Sequence, residues 1–523
     1  MTIAGAAGAL AVGYDSGIVA GTLLYIDKDF PEITLEEKSR FVSFAVLGGT
    51  IGAILAGSFC EKMGRKYAII FSAILLILGP LLLVLTKNIN LYCIWRIIIG
   101  FGMGLNMMAA QVFMSESSPN KLRGTIGSMY ILSIFLGFIF SHISSLLFEF
   151  QLNVMFMIGV IPAILQILLM VLTQRESPTY VAIKGTPAQV ATSLRKFYIT
   201  NNPEGMKALD LHYKEILAST TKKDTQQSQY QLYVELLTKY RWNLFVAVML
   251  HVLQQFTGIN IVQYYGPSIM KDAGFGGDSH RDLLYSMVFL TIVNTTANFV
   301  GAMMAQKYGR RQLIMMFSIP MGISLALLTA VMIINARTEG GFALGGYICI
   351  LSLAGYLIFF CIGFATQAWT VSAEVFPNHL RGIANSITTT SNWLFNFLTS
   401  AIFLQITATN SGKIIAYSIL SISCVITYLF VRRYLPETKD KPIDECVKLV
   451  MQARYLGCHN DSKLSKNNGD SLTSEEDIET KSMKKGLLDS KPSTPHDGPI
   501  HLQFGIDSNV EMQHKFSVRD HKL

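Results

Sequence analysis

Long apolar runs separated by short polar gaps dominate this chain of 523 residues. A helix needs about 20 predominantly apolar residues to cross the hydrocarbon core of a bilayer. Twelve runs reach that length, so the pattern predicts an all-α membrane protein with twelve transmembrane helices. We place these helices near residues 2–26, 40–60, 67–87, 90–113, 124–148, 152–173, 241–271, 283–306, 311–335, 343–371, 381–407 and 412–434.

Two longer polar segments divide the runs into two groups of six. The middle segment shows patches of helical periodicity, at Leu209, Tyr213, Ile216 and Leu217. The final segment is polar, and from about residue 441 onward we find no periodic apolar face, so we expect a disordered tail. The predicted domains are a first six-helix half (1–173), a cytoplasmic helical linker (174–240), a second six-helix half (241–434) and a cytoplasmic tail (435–523).

Two charged motifs occur once in each group of six runs. Residues 116–124 (ESSPNKLRG) and residues 374–382 (EVFPNHLRG) share Glu, Pro and Arg-Gly at matching positions, 258 residues apart. The tripeptides GRK at 64–66 and GRR at 309–311 form a second pair, 245 residues apart. A duplicated membrane domain is a common architecture of transporters, so we interpret the repeats as two six-helix pseudo-repeats.

Composition and charge place the polar loops. Only 15% of the residues are charged, against about 25% in soluble proteins, and the mean hydropathy is +0.39. The net charge of +8 comes from short basic gaps and the tail, which is the pattern of loops retained in the cytoplasm rather than of a nucleic-acid-binding surface. We therefore expect both termini to be cytoplasmic, in the plasma membrane or alternatively in a vacuolar or lysosomal membrane.

The sequence offers little support for an enzyme. It contains no nucleophile–base set, no phosphate-binding loop and no cluster of metal-ligand residues. The seven cysteines form no CxxC pair and lie outside the predicted external loops, so we expect free thiols. We predict no cofactor and no bound metal.

Asp15 lies inside the first predicted span, where an ionised side chain is costly unless it has a partner or a proton. It also argues against a signal peptide at residues 1–26, which lack a basic start. Arg96, early in the fourth span, is the other clear intramembrane charge of the first half. We predict that Asp15 is a proton-coupling site whose pKa is set by Arg96; the alternative is a static ion pair that fixes helix packing.

The seventh span carries an unusual density of amides and hydroxyls. Residues 254–267 read QQFTGINIVQYYGP, in which Gly258, Gly266 and Pro267 would allow the helix to bend toward a cavity. Neutral amides both donate and accept hydrogen bonds, which suits a ligand with many hydroxyls. The alternative is hydrogen bonding between helices that stabilises the bundle.

Further polar and aromatic residues lie in the following spans, at Asn294, Trp369 and Asn392. An indole face can pack on the apolar face of a ring, although a single membrane Trp is more often an interfacial anchor. We interpret two intramembrane histidines, His142 and His251, as packing or hydrogen-bonded residues.

These motifs, in this order, resemble the sugar porter family of the major facilitator superfamily over about residues 10–440. The resemblance also rests on GYDSG at 13–17 and PETK at 436–439. It implies two six-helix halves, a central sugar site and alternating access. It further implies sugar contacts at Gln254, Gln255, Asn260, Tyr264, Asn294, Trp369 and Asn392. A cytoplasmic gating latch of ion pairs in the outward-facing state is implied for Arg65, Glu116, Arg123, Arg310, Glu374 and Arg381.

Several positions depart from the family pattern and argue against simple glucose specificity. Ile131 stands where many hexose carriers have Gln, Cys361 replaces a common acid, and Gln306 replaces the acid of the second basic loop. The first-span motif with Asp15 is similar to that of proton-coupled inositol carriers. We therefore predict a proton-coupled carrier of a polyol or sugar, with myo-inositol favoured over hexose. The alternatives are a facilitative hexose transporter and a transporter-like nutrient sensor that signals through its tail.

Overall fold

Local sequence signals set the helix boundaries in the computed structural model. The model describes residues 2–118, 120–195, 206–207, 209–214, 216, 229–277, 279–338, 344–377 and 379–456. Thr34 begins the second helix with a capping box, because its hydroxyl accepts from the Glu37 amide at 3.2 Å and its own amide donates to the Glu37 carboxylate at 2.8 Å. Asn88 caps the fourth helix by accepting from the amide of Asn90 at 2.9 Å.

The described residues are almost entirely helical and contain no strand. The first half comprises α1 (Thr2–Asp29), α2 (Leu35–Met63), α3 (Arg65–Val84), α4 (Ile89–Ser117), α5 (Asn120–Leu147) and α6 (Leu152–Thr173). Three short helices follow: α7 (Pro178–Lys184), α8 (Pro187–Arg195) and α9 (Gln229–Thr238). The second half comprises α10 (Arg241–Phe256), α11 (Ile259–Asp272), α12 (His280–Lys307), α13 (Arg310–Arg337), α14 (Gly345–Phe360), α15 (Gln367–Glu374), α16 (Arg381–Ile406) and α17 (Asn410–Tyr434). The last described helix is α18 (Ile443–Leu456).

The predicted twelve spans match these helices. Within the described residues, eleven segments are long and apolar enough to cross a membrane, with α10–α11 and α14–α15 each counted as one span. The twelfth, α16, has 26 residues but buries a polar face that includes Asn392, Asn396 and Ser400. The two groups of six helices meet along α1–α11, α2–α16 and α5–α12, and many large apolar side chains on the outer surface are exposed, as lipid contact requires.

Two spans of the second half are interrupted. The seventh breaks between α10 and α11, where Gly258 adopts a left-handed φ of 92° that other residues rarely tolerate. The predicted bend is therefore confirmed at Gly258, whereas Gly266 and Pro267 lie inside the continuous helix α11. The tenth span contains a π-helical turn, Cys361–Ala365, between α14 and α15.

Close helix packing in the first half depends on small residues. A Cβ added to Gly48 of α2 would collide with the carbonyl of Ile97 on α4, and one added to Gly100 would collide with the carbonyl of Ala45. In a membrane, where apolar burial gives little drive for association, such close backbone contact is a main source of helix–helix stability. The glycines therefore fix the distance between α2 and α4.

The expectation that the chain lacks an apolar face beyond residue 441 is wrong for α18. Within this helix, Cys446, Val447 and Val450 are buried against the second half. Asn243 of α10 donates from its side-chain nitrogen to the Val447 carbonyl at 3.2 Å, and burial is the main cause that raises the pKa of the Cys446 thiol to about 11. The apolar residues of α18 are followed by a long polar stretch, so the average composition of the tail concealed the face. Residues 457–523 of the predicted tail lie outside the described part.

The described residues of the middle segment are mostly helical. Leu209 and Ile216, two of the residues with helical periodicity, form a small buried cluster with Val190 and Leu194 of α8. Leu217 lies outside the described residues. The linker boundaries and its cytoplasmic location remain predictions.

A matched pair of glycines in α2 tests the close contact with α4. We expect Gly48→Ala to lower the free energy of unfolding by about 1–3 kcal/mol, because the new methyl group must displace backbone. Gly57→Ala is the control, since no atom lies within 4 Å of its added Cβ, and it should be neutral or slightly stabilising. Thermal unfolding of the two purified variants measures the difference; equal midpoints would contradict the packing argument.

Candidate functional site

Asp15 and Arg96 form the predicted ion pair between α1 and α4. Nη1 of Arg96 lies 3.0 and 2.9 Å from the two carboxylate oxygens of Asp15. The residues are 7% and 1% exposed, and the guanidinium also lies over the ring of Phe41, 5.0 Å from its centroid. A buried charge that loses its partner is costly, so each residue constrains the position of the other.

A small cavity lies beside the Asp15 carboxylate, within the first half. Its volume is about 10 Å³, near the minimum that one water needs. Tyr14, Leu76, Pro80 and Phe156 contribute to its walls. The carboxylate thus has a neighbouring space large enough for a proton-carrying water, although the wall is mostly apolar.

A hydrogen-bonded amide cluster joins three helices of the second half. Asn392 of α16 donates from its side-chain nitrogen to Oε1 of Gln254 on α10 at 3.0 Å and lies 3.3 Å from Nδ1 of His251. His251 also contacts the Ser372 hydroxyl at 3.0 Å, and the Trp369 ring packs edge-on against it at 4.5 Å. The contacts of His251 with Asn392 and Trp369 were not apparent from the sequence, because the three residues come from separate spans.

The break at Gly258 gives the remaining seventh-span residues separate partners. Oε1 of Gln255, on α10, accepts from the side-chain nitrogen of Asn260, on α11, at 2.7 Å. Nε2 of Gln255 has no hydrogen bond among the described residues, so it can donate to a ligand. Tyr264 accepts from Asn396 of α16 at 3.4 Å. Because α10 ends at Phe256 and α11 begins at Ile259, Gln255 and Tyr264 do not lie on one continuous helix.

Asn294 belongs to a third group that contains a cysteine. The thiol of Cys361, in the π-helical turn, contacts Oδ1 of Asn294, and its sulfur accepts from the side-chain nitrogen of Asn298 at 3.0 Å. All three residues are buried. The sequence signal for this group was the unusual Cys361 itself, at a position where the family pattern has an acid.

The charged repeats form matching clusters at one end of the bundle, which we call the basic end. In the first half, Arg65 binds both carboxylate oxygens of Glu116, at 3.0 and 2.9 Å. In the second half, Arg310 binds Glu374 at 2.9 Å. Each pair therefore lies within one half and holds the start of a helix against the end of another span.

A third repeated pair completes these clusters and was missed in the sequence. Glu176 accepts from the backbone amide of Arg65 at 2.9 Å, and Glu437 accepts from that of Arg310 at 2.8 Å. Each acid is followed by a hydroxyl residue, Ser177 or Thr438, that donates to the Glu of the ion pair. The signal was present in the sequences ESP and PET, which follow the sixth and twelfth spans at similar distances.

The contacts given above do not involve the two other predicted latch residues, Arg123 and Arg381. The side chain of Arg123 lies outside the described part of the structure, and Arg381 is the first residue of α16. The structure therefore does not test their predicted roles in a latch.

The candidate site combines one charged pair with many neutral polar groups. Such groups can bind a hydroxylated solute without competing charge, and the buried carboxylate can exchange a proton. In the residues that the structure describes, no group of three or more His, Cys, Asp or Glu is arranged to hold a metal ion.

The chain is similar in sequence to known transport proteins. The chain is 29% identical over 530 residues to the "Probable inositol transporter 2" of Arabidopsis thaliana, covering 85% of this chain and 90% of that protein. It is 28% identical over 451 residues to the "Galactose-proton symporter" of Escherichia coli strain K12, covering 86% of this chain and 93% of that protein.

Solved structures share the fold. The inward-open conformation of the xylose transporter XylE from E. coli superposes with a TM-score of 0.69 at 23% identity, covering 86% of this chain and 98% of that one. The fold is therefore the twelve-helix major facilitator fold, in a multi-pass integral membrane protein. The family model for "Sugar (and other) transporter" matches residues 1–449, and the chain is a transporter that belongs to this family.

Proposed function

We propose that this protein is a proton-coupled transporter of a polyol or sugar that works by alternating access, with myo-inositol favoured over hexose. One observation supports the proposal above all: the buried Asp15–Arg96 pair lies in the first half, whereas the neutral amide groups lie in the second half. The names of the inositol transporter and the galactose–proton symporter among the relatives support the substrate class and the coupling.

In this proposal the substrate binds to the amide groups of the second half. Asn392 donates to Gln254 and lies beside His251, which packs against Trp369, so these residues form one wall of the proposed site. The free Nε2 of Gln255 is a ready hydrogen-bond donor. The substrate-binding residues are Gln254, Gln255, Asn260, Tyr264, Asn294, Trp369 and Asn392.

Proton coupling follows from the chemistry of the Asp15–Arg96 pair. A proton on Asp15 removes its negative charge and weakens the interaction that holds Arg96 beside α1. Arg96 would then be a buried cation without a partner, which favours rearrangement of α1 and α4. Because α1 contacts α11 of the second half, that rearrangement can reach the substrate groups.

The described contacts between the halves support a conformation closed at the outer end, opposite the basic end. Ser39 of α2 donates to the carbonyl of Ala401 on α16 at 2.5 Å, and Arg281 of α12 pairs with Glu149 after α5 at 2.5 Å. The ion pairs Arg65–Glu116 and Arg310–Glu374, at the basic end, lie within single halves. We assign this conformation to the inward-facing side of the cycle, with the basic end cytoplasmic and the protein in the plasma membrane.

The latch proposal takes a modified form from this geometry. The pairs formed by Arg65 with Glu116 and by Arg310 with Glu374 keep each half rigid at the basic end. We propose that contact between the two clusters, with Arg123 and Arg381, closes this end in the outward-facing state.

One observation favours a second candidate function. Helix α18 is packed on the second half, and Thr438, just before it, donates to the Glu374 carboxylate at 2.6 Å. A tail that starts from a docked helix can report the conformation of the transporter, which is what a nutrient sensor needs. In a facilitative hexose transporter, by contrast, the Asp15–Arg96 pair would be only structural.

The first prediction concerns coupling. We expect Asp15→Asn to abolish the acceleration of uptake by an inward proton gradient while substrate exchange continues, because the amide cannot release a proton. Uptake of labelled myo-inositol and glucose into proteoliposomes, at two pH gradients, measures this. Asp272→Asn is the matched control. Asp272 forms an ion pair with Lys413 at 2.7 Å, on other helices than Asp15 and Arg96, so this variant should keep coupling. An Asp15→Asn variant that still concentrates substrate would show that Asp15 is not the coupling site. A wild-type protein whose uptake does not respond to the proton gradient would instead favour the facilitator.

The second prediction concerns substrate contact. We expect Gln255→Ala to weaken substrate binding by about 1–3 kcal/mol, because it leaves substrate hydroxyls unpaired in a buried site. Gln166→Ala is the control, since Gln166 accepts from Asn106 at 2.8 Å inside the first half, and it should lower stability without changing affinity. Calorimetric binding to both purified variants measures the difference. Unchanged affinity in folded Gln255→Ala would return this residue to a packing role.

The third prediction concerns the outer closure. Arg281→Gln should shift the population toward the outward-open state by up to about fivefold, because an exposed ion pair contributes up to about 1 kcal/mol. Spin labels on Glu32→Cys and Ala408→Cys, with Cys458 replaced by Ser, report the distance between the halves at the outer end. Arg337→Gln, at the same end, is the control. Identical distance distributions for the two variants would show that the pair with Glu149 does not stabilise closure.

A further inference from the structure

A second small cavity lies between the two halves, with a mostly apolar lining that includes a few polar side chains. Its volume is about 20 Å³, enough for about one water or one hydroxyl group. Phe138 and His142 of α5 form the wall from the first half, whereas Gln263 of α11 with Thr291 and Asn294 of α12 form the opposite wall. Asn294 therefore belongs to both this cavity and the proposed substrate site.

The hydrogen bonds around His142 determine which ring nitrogen can accept. The Ser141 hydroxyl donates its only proton to the Phe138 carbonyl at 2.7 Å. Nδ1 of His142 lies 3.1 Å from the same hydroxyl oxygen, so we assign the ring hydrogen to Nδ1, which then donates to that oxygen. In the neutral ring, Nε2 then has a lone pair. The tautomer is assigned from this network of partners.

Nε2 of His142 has no hydrogen bond among the residues that the structure describes, although the side chain is only 1% exposed. Buried polar atoms in folded proteins are nearly always paired, with protein, water or ligand. A histidine with a packing role alone would be expected to satisfy both nitrogens within its own half. The free acceptor is therefore available to a water or to a hydroxyl of a ligand in the cavity.

The opposite wall offers donors. Oδ1 of Asn294 faces the thiol of Cys361, whose sulfur is itself fixed by Asn298, so the Asn294 amide group is oriented with its nitrogen elsewhere. That nitrogen has no acceptor among the described residues, and neither end of the Gln263 amide has a described hydrogen bond. Cys361 thus positions Asn294 to donate into the cavity.

We propose that His142 is a substrate-contact residue. Together with Asn294 across the cavity, it forms a hydrogen bond with a single ring hydroxyl of the polyol or sugar. A hydroxyl group fits both walls, because it can donate to Nε2 of His142 and accept from the nitrogen of Asn294. This inference rests on the proposed function. Because α5 and α12 belong to different halves, the pair of contacts is complete only while the outer end is closed.

The test uses myo-inositol, D-glucose and their singly deoxygenated analogues as probes, with the full-length protein. In wild type, the analogue that lacks the bridging hydroxyl should bind about tenfold more weakly than its parent, because Nε2 of His142 is then left unpaired. His142→Phe should reduce that ratio to about one and leave the other ratios unchanged. His142→Gln, which keeps an acceptor, should restore part of the discrimination.

Two further variants make the result specific. Phe138→Leu changes the apolar wall of the same cavity and should alter affinity for all probes by a similar factor. Asn294→Ala should lose discrimination against the same analogue as His142→Phe, because one hydroxyl bridges both residues. It also provides a separate readout if His142→Phe does not fold.

The outcomes separate this inference from the proposed function. A wild-type protein that binds no polyol or sugar would overturn both. A wild type that binds and transports these probes, with every ratio kept in folded His142→Phe, would overturn only the role of His142. Loss of discrimination against different analogues in the His142 and Asn294 variants would also overturn it, because no shared hydroxyl would then exist.

Discussion

The absence of hydrogen-bonding partners in the hydrocarbon core is the constraint on which the structure depends. The tenth span illustrates how the protein meets it. Its π-helical turn weakens the regular backbone pattern, and the side-chain nitrogen of Gln254 donates toward the carbonyls of Phe364 and Ala365, at 3.4 and 3.2 Å. Irregular backbone thus occurs where a neighbouring amide supports it, and the same amide forms the wall of the candidate site.

The duplicated clusters at the basic end show that the two halves solve one problem in the same way. A helix that starts at a basic loop has unpaired backbone amides and the positive end of the helix dipole at its N-terminus. In both halves a Glu distant in sequence, Glu176 or Glu437, accepts from these amides. The membrane interior is different, because the first half contains the buried ion pair and the second the neutral amides. Duplication has therefore been kept at the ends of the helices, while the centre has diverged.

The sequence predicted the spans and the motif residues well, because hydropathy and charge are local properties. It predicted Asp15 with Arg96 for the same reason, since few intramembrane charges exist to pair. It could not show that Cys361 orients Asn294, or that His251 joins Asn392, because those contacts link spans far apart in the chain. Helix α18 escaped notice because a short buried face needs only a few apolar residues.

The break at Gly258 divides the seventh span into two mechanical units. The 14-residue helix α11 touches α1 of the opposite half, whereas α10 packs on α16 of its own half. A displacement of α11 alone, about the break at Gly258, would be a local motion. Local motions relax faster than the rocking of whole halves, so a movement of this unit would have its own relaxation time.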